Sequence, residues 1–234
     1  MKRKDDKIEK CYMPTVWRTF ITILFMCLTA LLHAQEQKAE NDAGLWIYAE
    51  LSRKHGAKWK TFYSIEYRNK KRFSRTSLWS TAVNATRTLT SYMQAGAGVE
   101  FFMNKNDDGS FSPEYRYYPE ITVSYVFGAL SASLRSRVMN TFTSLNSPNL
   151  EWRNRLKTAF ALGHSGLSPF IAAEPYTAFY PKTYLFRKIR CSAGASYAFA
   201  VNQKVNLYYM RETYFHKPLK NHVIQIEYFY TFQL

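Results

Sequence analysis

Residues 221–234 read NHVIQIEYFYTFQL, and this stretch decides the fold of the chain. From Val223 onward its side chains alternate with the period of two that is expected of a β-strand. A last strand of this kind is typical of an outer-membrane barrel, in which it pairs with the first strand and turns one face to lipid. We therefore expect these residues to form the closing strand of such a barrel. Its predicted lipid-facing row is Ile224, Ile226, Tyr228, Tyr230, Phe232 and Leu234.

The composition fits this expectation. The 234 residues are enough for one domain, and they include 18 Tyr and 17 Phe while charged residues stay at 21%. Mean hydropathy is only −0.35, so the chain is rich in aromatic residues without being apolar overall. After the N-terminal region there is no apolar run of about 18 residues, which excludes a helical membrane protein.

The N-terminus has the features of a secretory signal peptide. Arg18 closes a basic region, residues 20–32 are apolar, and Ala34 offers a small residue at the expected cleavage site. We expect a cleaved signal peptide at 1–34, a polar leader at 35–43 and the barrel at 44–234. Met1 and Met13 are both possible starts, and an uncleaved anchor helix is disfavoured because the apolar run is short for a membrane span.

The charge and the cysteines narrow the function classes. Removal of residues 1–34 takes away six Lys/Arg and three Asp/Glu, so the formal charge falls from +15 to +12. The basic residues are spread over alternating segments with no nucleic-acid-binding motif, which disfavours nucleic acid as a partner. They suit lipopolysaccharide phosphates or a lumen that passes anions. Cys191 would be the one cysteine left, so neither an internal disulfide nor a thiolate metal site is expected.

Eleven segments alternate in the same way as the last one. Predicted short turns, such as the one at Gly128, alternate along the chain with predicted long loops. The long loops are residues 69–76, 104–112 and 140–149. This alternation is typical of a barrel with short periplasmic turns and long extracellular loops. Bacterial barrels commonly have an even count, so we expect that one strand has been missed, or that the leader threads the barrel. The fold class is predicted as an all-β, up-and-down antiparallel transmembrane barrel of 10–12 strands.

Charged side chains fall on one face of these strands. A cationic side chain facing the mid-bilayer costs about 2–4 kcal/mol, so this face is predicted to line the lumen. The charges could pair into a ladder that rigidifies the wall, or they could line a narrow polar path that selects a small anion. The predicted lumen-facing charges are Glu50, Glu66, Arg68, Glu100, Glu114, Arg116, Glu120, Arg135, Arg137, Arg153, Arg155, Lys157, Glu174, Lys188, Arg190 and Glu227.

Several of these charges stand in short motifs whose order resembles a known family. The motifs are Gly44-Leu45-Trp46, Glu66-x-Arg68, Glu114-x-Arg116, Arg135-x-Arg137, Arg153-x-Arg155, the single Glu174 and Arg190-x-x-x-Gly194. In this order they resemble the outer-membrane barrel family catalogued as domain of unknown function 2490, over nearly the whole barrel region. The resemblance implies a barrel in the outer membrane, and it carries over no catalytic residue.

A catalytic function would depend on specific serine and histidine residues. A membrane-embedded lipid hydrolase, of the phospholipase or lipid A deacylase type, needs a Ser within hydrogen-bond reach of a His. Neighbouring strand residues point to opposite faces, and no His/Asp/Glu cluster has ligand spacing, so we expect no catalytic, cofactor or metal site. The candidate pairs are His164 with Ser165, His55 with Ser52, and His216 or His222 with an unidentified Ser.

The favoured interpretation is a small barrel in the outer membrane of a Gram-negative bacterium that is structural or forms a narrow channel, a possible porin. Its expected partners are outer-membrane lipid, the barrel-assembly machinery and lipopolysaccharide. A barrel that binds lipopolysaccharide or a protein partner, and a soluble periplasmic sandwich with an apolar interior, remain as alternatives. Aromatic residues near strand ends are expected to form interfacial girdles. They are Trp46, Tyr48, Trp59, Tyr92, Trp152, Tyr176, Tyr180, Tyr184, Tyr228 and Tyr230.

Overall fold

Eleven β-strands follow one another along the chain in a computed structural model that describes residues 40–106, 108–143, 149–163, 165–180, 183–216 and 219–232. They are β1 (Glu40–His55), β2 (Trp59–Lys70), β3 (Arg75–Thr88), β4 (Met93–Lys105), β5 (Phe111–Phe127), β6 (Leu130–Thr143), β7 (Asn149–Phe160), β8 (Leu167–Tyr180), β9 (Thr183–Ala200), β10 (Gln203–Tyr214) and β11 (Leu219–Phe232). The predicted signal peptide lies outside the described residues. Strand β1 begins within the predicted leader, four residues before Gly44.

Each strand pairs antiparallel with the next, and β11 closes the barrel against β1. The closing pair is parallel, with a register that runs from Glu40 opposite Leu219 to Arg53 opposite Phe232. An odd number of strands requires this, because alternating directions around a closed ring leave the first and last strands parallel. The fold class is thus confirmed, whereas the expectation of a missed strand was wrong for the described part of the chain.

The two faces of the wall differ as a membrane barrel requires. On β11, Val223 is 2% exposed whereas Ile224 is 45% exposed, which follows from the period of two. Ile226 and Phe232 share the outer face with Ile224, and Leu234 lies outside the described residues. The outer face of the other strands carries exposed apolar side chains such as Ile47, Leu51, Tyr63, Ile65, Val83, Val99, Tyr115, Ile121, Leu134, Ile171 and Leu207.

This distribution is the reverse of a soluble sandwich, because the apolar side chains face outward and charged ones face inward. A closed barrel with an apolar outer face and a polar interior points to an outer membrane, where every backbone group must be paired within the wall. Within the described ranges, no helix is long and apolar enough to cross a membrane.

The turns between strands do not alternate in length as predicted. At one end of the barrel, called here the β1–β2 end, turns lie at residues 56–58, 89–92, 128–129 and 201–202. At the opposite end, called the β2–β3 end, residues 71–74 form a turn of similar length, and the other connections of this end include residues outside the described part of the chain. Strands extend into the segments 69–76 and 104–112 that were predicted as loops. In the turn after β2, Lys71, Arg72 and Phe73 all adopt positive φ, which reverses the chain within a segment predicted as a longer loop.

Candidate functional site

The barrel encloses a cavity of about 380 Å³ that is lined mainly by polar and charged side chains. All of the predicted lumen charges line this cavity except Glu114, Lys157 and Lys188. Glu114 lies on the same face of β5 as Arg116. The Lys188 amine donates a hydrogen bond to Glu212 at 2.9 Å, and the Lys157 amine lies 3.8 Å from the centre of the Phe170 ring.

Glu174 on β8 is the centre of the charge network. Arg135 and Arg153 each place a guanidinium nitrogen 3.1 Å from a Glu174 oxygen. Arg190 lies 3.8 Å away, and the Tyr176 hydroxyl donates to Glu174 at 3.0 Å. One buried carboxylate therefore serves three arginines from three strands.

Further ion pairs extend this network around the wall. They are Arg68 with Glu66 at 2.7 Å, Arg116 with Glu100 at 2.9 Å, Arg137 with Glu120 at 2.5 Å, and Arg190 and Lys188 with Glu212 at 2.6 and 2.9 Å. Together with the Glu174 cluster they are called here the ion-paired belt. Aromatic faces support it, since the Arg68 guanidinium lies 4.0 Å from the Trp46 ring centre and that of Arg137 lies 3.9 Å from the Tyr118 ring centre.

Two sets of ion pairs escaped prediction. The β8–β9 register shifts so that Tyr176 pairs with Lys188 while Thr177 pairs with Phe186. This bulge leaves Arg187 as an extra residue whose guanidinium lies 3.3 Å from Glu151, and alternation alone gives no sign of such a change of direction. Glu212 could have been found, because it continues the inward row of Asn206, Tyr208 and Met210 on β10.

Aromatic side chains also take part in the lumen. Trp46, Tyr48 and Tyr176 were expected in interfacial girdles, but all three face the interior. Trp46 is 8% exposed and Tyr176 is 2% exposed, and both rings contact arginines of the belt. Polar tips and flat faces suit these residues to a charged lumen as well as to a lipid interface.

A second level of the lumen lies toward the β1–β2 end and is called here the unpaired level. It comprises the cations Lys60, Arg155, Lys157 and Lys204 with the carboxylates Glu50 and Glu227. Among the described residues, no ion pair joins any of these four cations to a carboxylate. The level therefore has charges of both signs that do not neutralise one another by direct contact.

The two carboxylates of the unpaired level are bound by neutral donors. Glu227 accepts hydrogen bonds from the Tyr208 hydroxyl at 2.6 Å and from the side-chain amides of Asn206 and Gln225 at 2.7 and 3.0 Å. Glu50 accepts one from the Tyr48 hydroxyl at 2.7 Å. Neither carboxylate forms an ion pair with a cation among the described residues.

Like charges also face one another directly across two strands. Arg135 lies opposite Arg155, and Arg137 lies opposite Arg153, in the antiparallel register of β6 and β7. Directly opposed like charges destabilise a sheet. Ion pairs with Glu174 and Glu120 offset the repulsion for Arg135, Arg153 and Arg137. Arg155 has no carboxylate partner among the described residues.

No Ser–His pair forms among the described residues. Ser52 is buried and its hydroxyl lies 3.0 Å from that of Thr231, while His55 is exposed and contacts Thr61. His164 lies outside the described residues. The ring nitrogens of His216 and His222 contact the Phe186 carbonyl and the Tyr209 hydroxyl instead of a serine. The lipid-hydrolase alternative therefore gains no support, and the described residues contain no cluster able to hold a metal.

Comparisons with known proteins identify the family of the chain. A search of curated proteins gives no match. Among solved structures, a KdgM porin aligns with a TM-score of 0.43 and 15% sequence identity, over 70% of this chain and 81% of that chain. The family model described as "Protein of unknown function (DUF2490)" matches residues 43–222, as the order of the charged motifs predicted. The chain belongs to the DUF2490 family.

Proposed function

We propose that this protein is a narrow outer-membrane channel that passes small anions. The observation that carries the proposal is the facing of Arg135 with Arg155 and of Arg137 with Arg153 along one wall of the lumen. All four arginines line the cavity. A wall that needed only rigidity would be more stable if opposite charges faced one another at these positions.

A passing anion accounts for the excess of positive charge on this wall. Conduction requires binding that is favourable enough to admit the ion and weak enough to release it, and several neighbouring cations meet this requirement. Arg155 lies in the unpaired level, and Arg135 shares Glu174 with Arg153 and Arg190. An anion can therefore move from one guanidinium to the next without breaking a whole ion pair at once.

The test is the reversal potential of the purified barrel in planar bilayers under a KCl gradient. We expect the wild type to favour chloride over potassium. The double variant Arg135→Ala with Arg155→Ala should shift the reversal potential toward that of a cation-permeable pore. The matched control is Arg53→Ala with Arg87→Ala, at exposed outward positions of β1 and β3 near the β1–β2 end, which should leave the selectivity unchanged.

Absence of ion flow through both the wild type and the double variant would overturn the channel proposal. In that event the ion-paired belt would only stabilise the barrel wall. The double variant should then be less stable than the wild type, with no change in permeability. Heat-modifiable migration on a gel shows that each variant is folded before its conductance is measured.

A further inference from the structure

We propose that the unpaired level is an equilibrium binding site for a small organic anion that carries a carboxylate or phosphate group on an apolar body. The inference rests on the proposed function, because the same lumen admits the anion. Occupancy of this site at equilibrium is a separate property of the barrel from the flow of ions through it.

The position of the cations defines the entrance of this site. Lys60 and Lys204 are the second residues of β2 and β10, and both strands start at the β1–β2 end. Arg155 and Lys157 lie two residues apart on the inward face of β7, with Lys157 nearer to the same end and Arg155 at the middle of the strand. Lys60, Lys157 and Lys204 therefore surround the approach from the β1–β2 end, whereas Arg155 lies deeper, opposite Arg135 of the ion-paired belt.

The charge of the unpaired level favours an anion. Its four cations outnumber its two carboxylates, and both carboxylates are bound by neutral donors. The lysines contact rings instead of carboxylates: Lys60 lies 4.6 Å from the Phe62 ring centre and Lys204 lies 4.5 Å from that of Phe229. A ring face attracts a cation but does not cancel its charge, so the positive potential of this level stays available to a ligand.

The rings beside the cations favour a ligand with an apolar body. Phe62 and Phe229 line the cavity and are only partly buried, and the rings of Tyr48 and Phe229 lie 5.8 Å apart. The cavity of about 380 Å³ is within the range typical of small-molecule sites, roughly 300–1,000 Å³. A charged head group near Arg155 and a flat body against Phe62 or Phe229 would use both kinds of surface.

The belt gives the site a floor. Arg68, Arg116 and Arg137 each have a carboxylate partner within 2.9 Å, so an arriving anion would have to displace that carboxylate in order to bind them. Arg155 requires no such displacement, because it has no ion-pair partner among the described residues. The most favourable position for the anion is therefore at Arg155, with Lys157 as its neighbour.

The experiment is isothermal titration calorimetry of the folded barrel in detergent at low salt, with three probes of similar shape. Benzoate and phenyl phosphate carry the two candidate head groups, and benzyl alcohol is the neutral analogue. We expect both anions to bind and benzyl alcohol not to bind. The tighter of the two anions identifies whether a carboxylate or a phosphate is the preferred head group.

Arg155→Gln should weaken binding of the preferred anion about tenfold or more, because a hydrogen bond to a charged group is lost. Arg155→Lys should retain most of the affinity. Arg53→Gln makes the same chemical change at an exposed position of the same end and should have no effect. All variants must show heat-modifiable migration, so that loss of binding is not loss of the fold.

Two results would overturn the inference: no binding of either anion, or equal weakening by Arg155→Gln and Arg53→Gln. Failure of the channel proposal is distinguishable from both. A barrel that binds benzoate but conducts no ions contradicts the channel and supports the site. A barrel that conducts anions but binds neither probe contradicts the site and supports the channel.

Discussion

Gly98 on β4 lies directly opposite Tyr118 on β5, and a β-carbon at position 98 would lie 2.6 Å from the Cζ and hydroxyl atoms of Tyr118. The Tyr118 ring is 5% exposed, and its other contacts include the Arg137 guanidinium at 3.9 Å. It therefore occupies space that any side chain at position 98 would take. The glycine allows the tyrosine to lie flat against the wall and to support an arginine of the ion-paired belt.

Gly98→Ala should destabilise the barrel by about 1–3 kcal/mol, because the added methyl group forces the Tyr118 ring away from its place. Urea unfolding of the barrel in lipid vesicles measures the change. Ala97→Val adds bulk at the next residue, which faces outward and is exposed, and should be nearly neutral. Equal losses of stability at the two positions would mean that the close approach of Gly98 and Tyr118 does not restrict the size of the side chain at position 98.

Glu174→Gln should be among the most destabilising single changes in the lumen. The substitution keeps the shape of the side chain but removes the charge that offsets Arg135, Arg153 and Arg190. Removal of one partner from a buried ion pair costs roughly 3–5 kcal/mol, because the remaining charge is left uncompensated. Here three arginines lose one partner, although Arg190 keeps Glu212.

The control for Glu174→Gln is Glu66→Gln on β2. Glu66 has one cationic partner within the described residues, Arg68, which lies two residues away on the same strand. The same chemical change should therefore cost less at position 66 than at position 174, as measured by the urea midpoint. A larger loss at Glu66 would show that Glu174 is not the centre of the network.

The assignment to an outer membrane has its own test. A closed barrel whose backbone groups are all paired in the wall resists detergent until it is heated, so unheated and heated samples should migrate differently on a denaturing gel. Cell fractionation should place the protein with the outer membrane. Identical migration together with recovery in a soluble fraction would contradict the assignment.

Strand periodicity predicted the wall of this barrel well, because inside and outside alternate with every residue. It predicted the lumen charges as a set, but not their partners. Arg135 on β6 reaches Glu174 on β8 over the intervening β7, and the alternation within one strand does not show which residues of such second-neighbour strands meet. The order of the charged motifs along the sequence identified the family, because that order can be recognised without knowing which side chains form ion pairs.

The errors in prediction have local causes. Residues 69–76 were predicted as a long loop because their composition is basic and polar, but positive φ at Lys71, Arg72 and Phe73 closes the turn within residues 71–74. Backbone dihedrals of this kind are rare for residues other than glycine and leave no mark in the sequence. The odd strand count was attributed to a missed strand because no pattern in one sequence reveals a parallel closing pair.

The parallel pairing of β1 with β11 can be distinguished from an antiparallel pairing of the same strands by disulfide cross-linking. Ser52 lies opposite Thr231 and Tyr48 lies opposite Glu227, so both pairs are neighbours at once only if β1 and β11 run in the same direction. Antiparallel strands could bring at most one of these pairs together.

Cysteines at Ser52 and Thr231, or at Tyr48 and Glu227, should each form a disulfide on oxidation of the folded barrel, in a background without Cys191 or other cysteines. Either link closes most of the chain into a loop, so the denatured, unreduced protein should migrate faster. Cysteines at Tyr48 and Thr231 are out of register and should form no link, and formation of only one of the two expected links would contradict the parallel pairing.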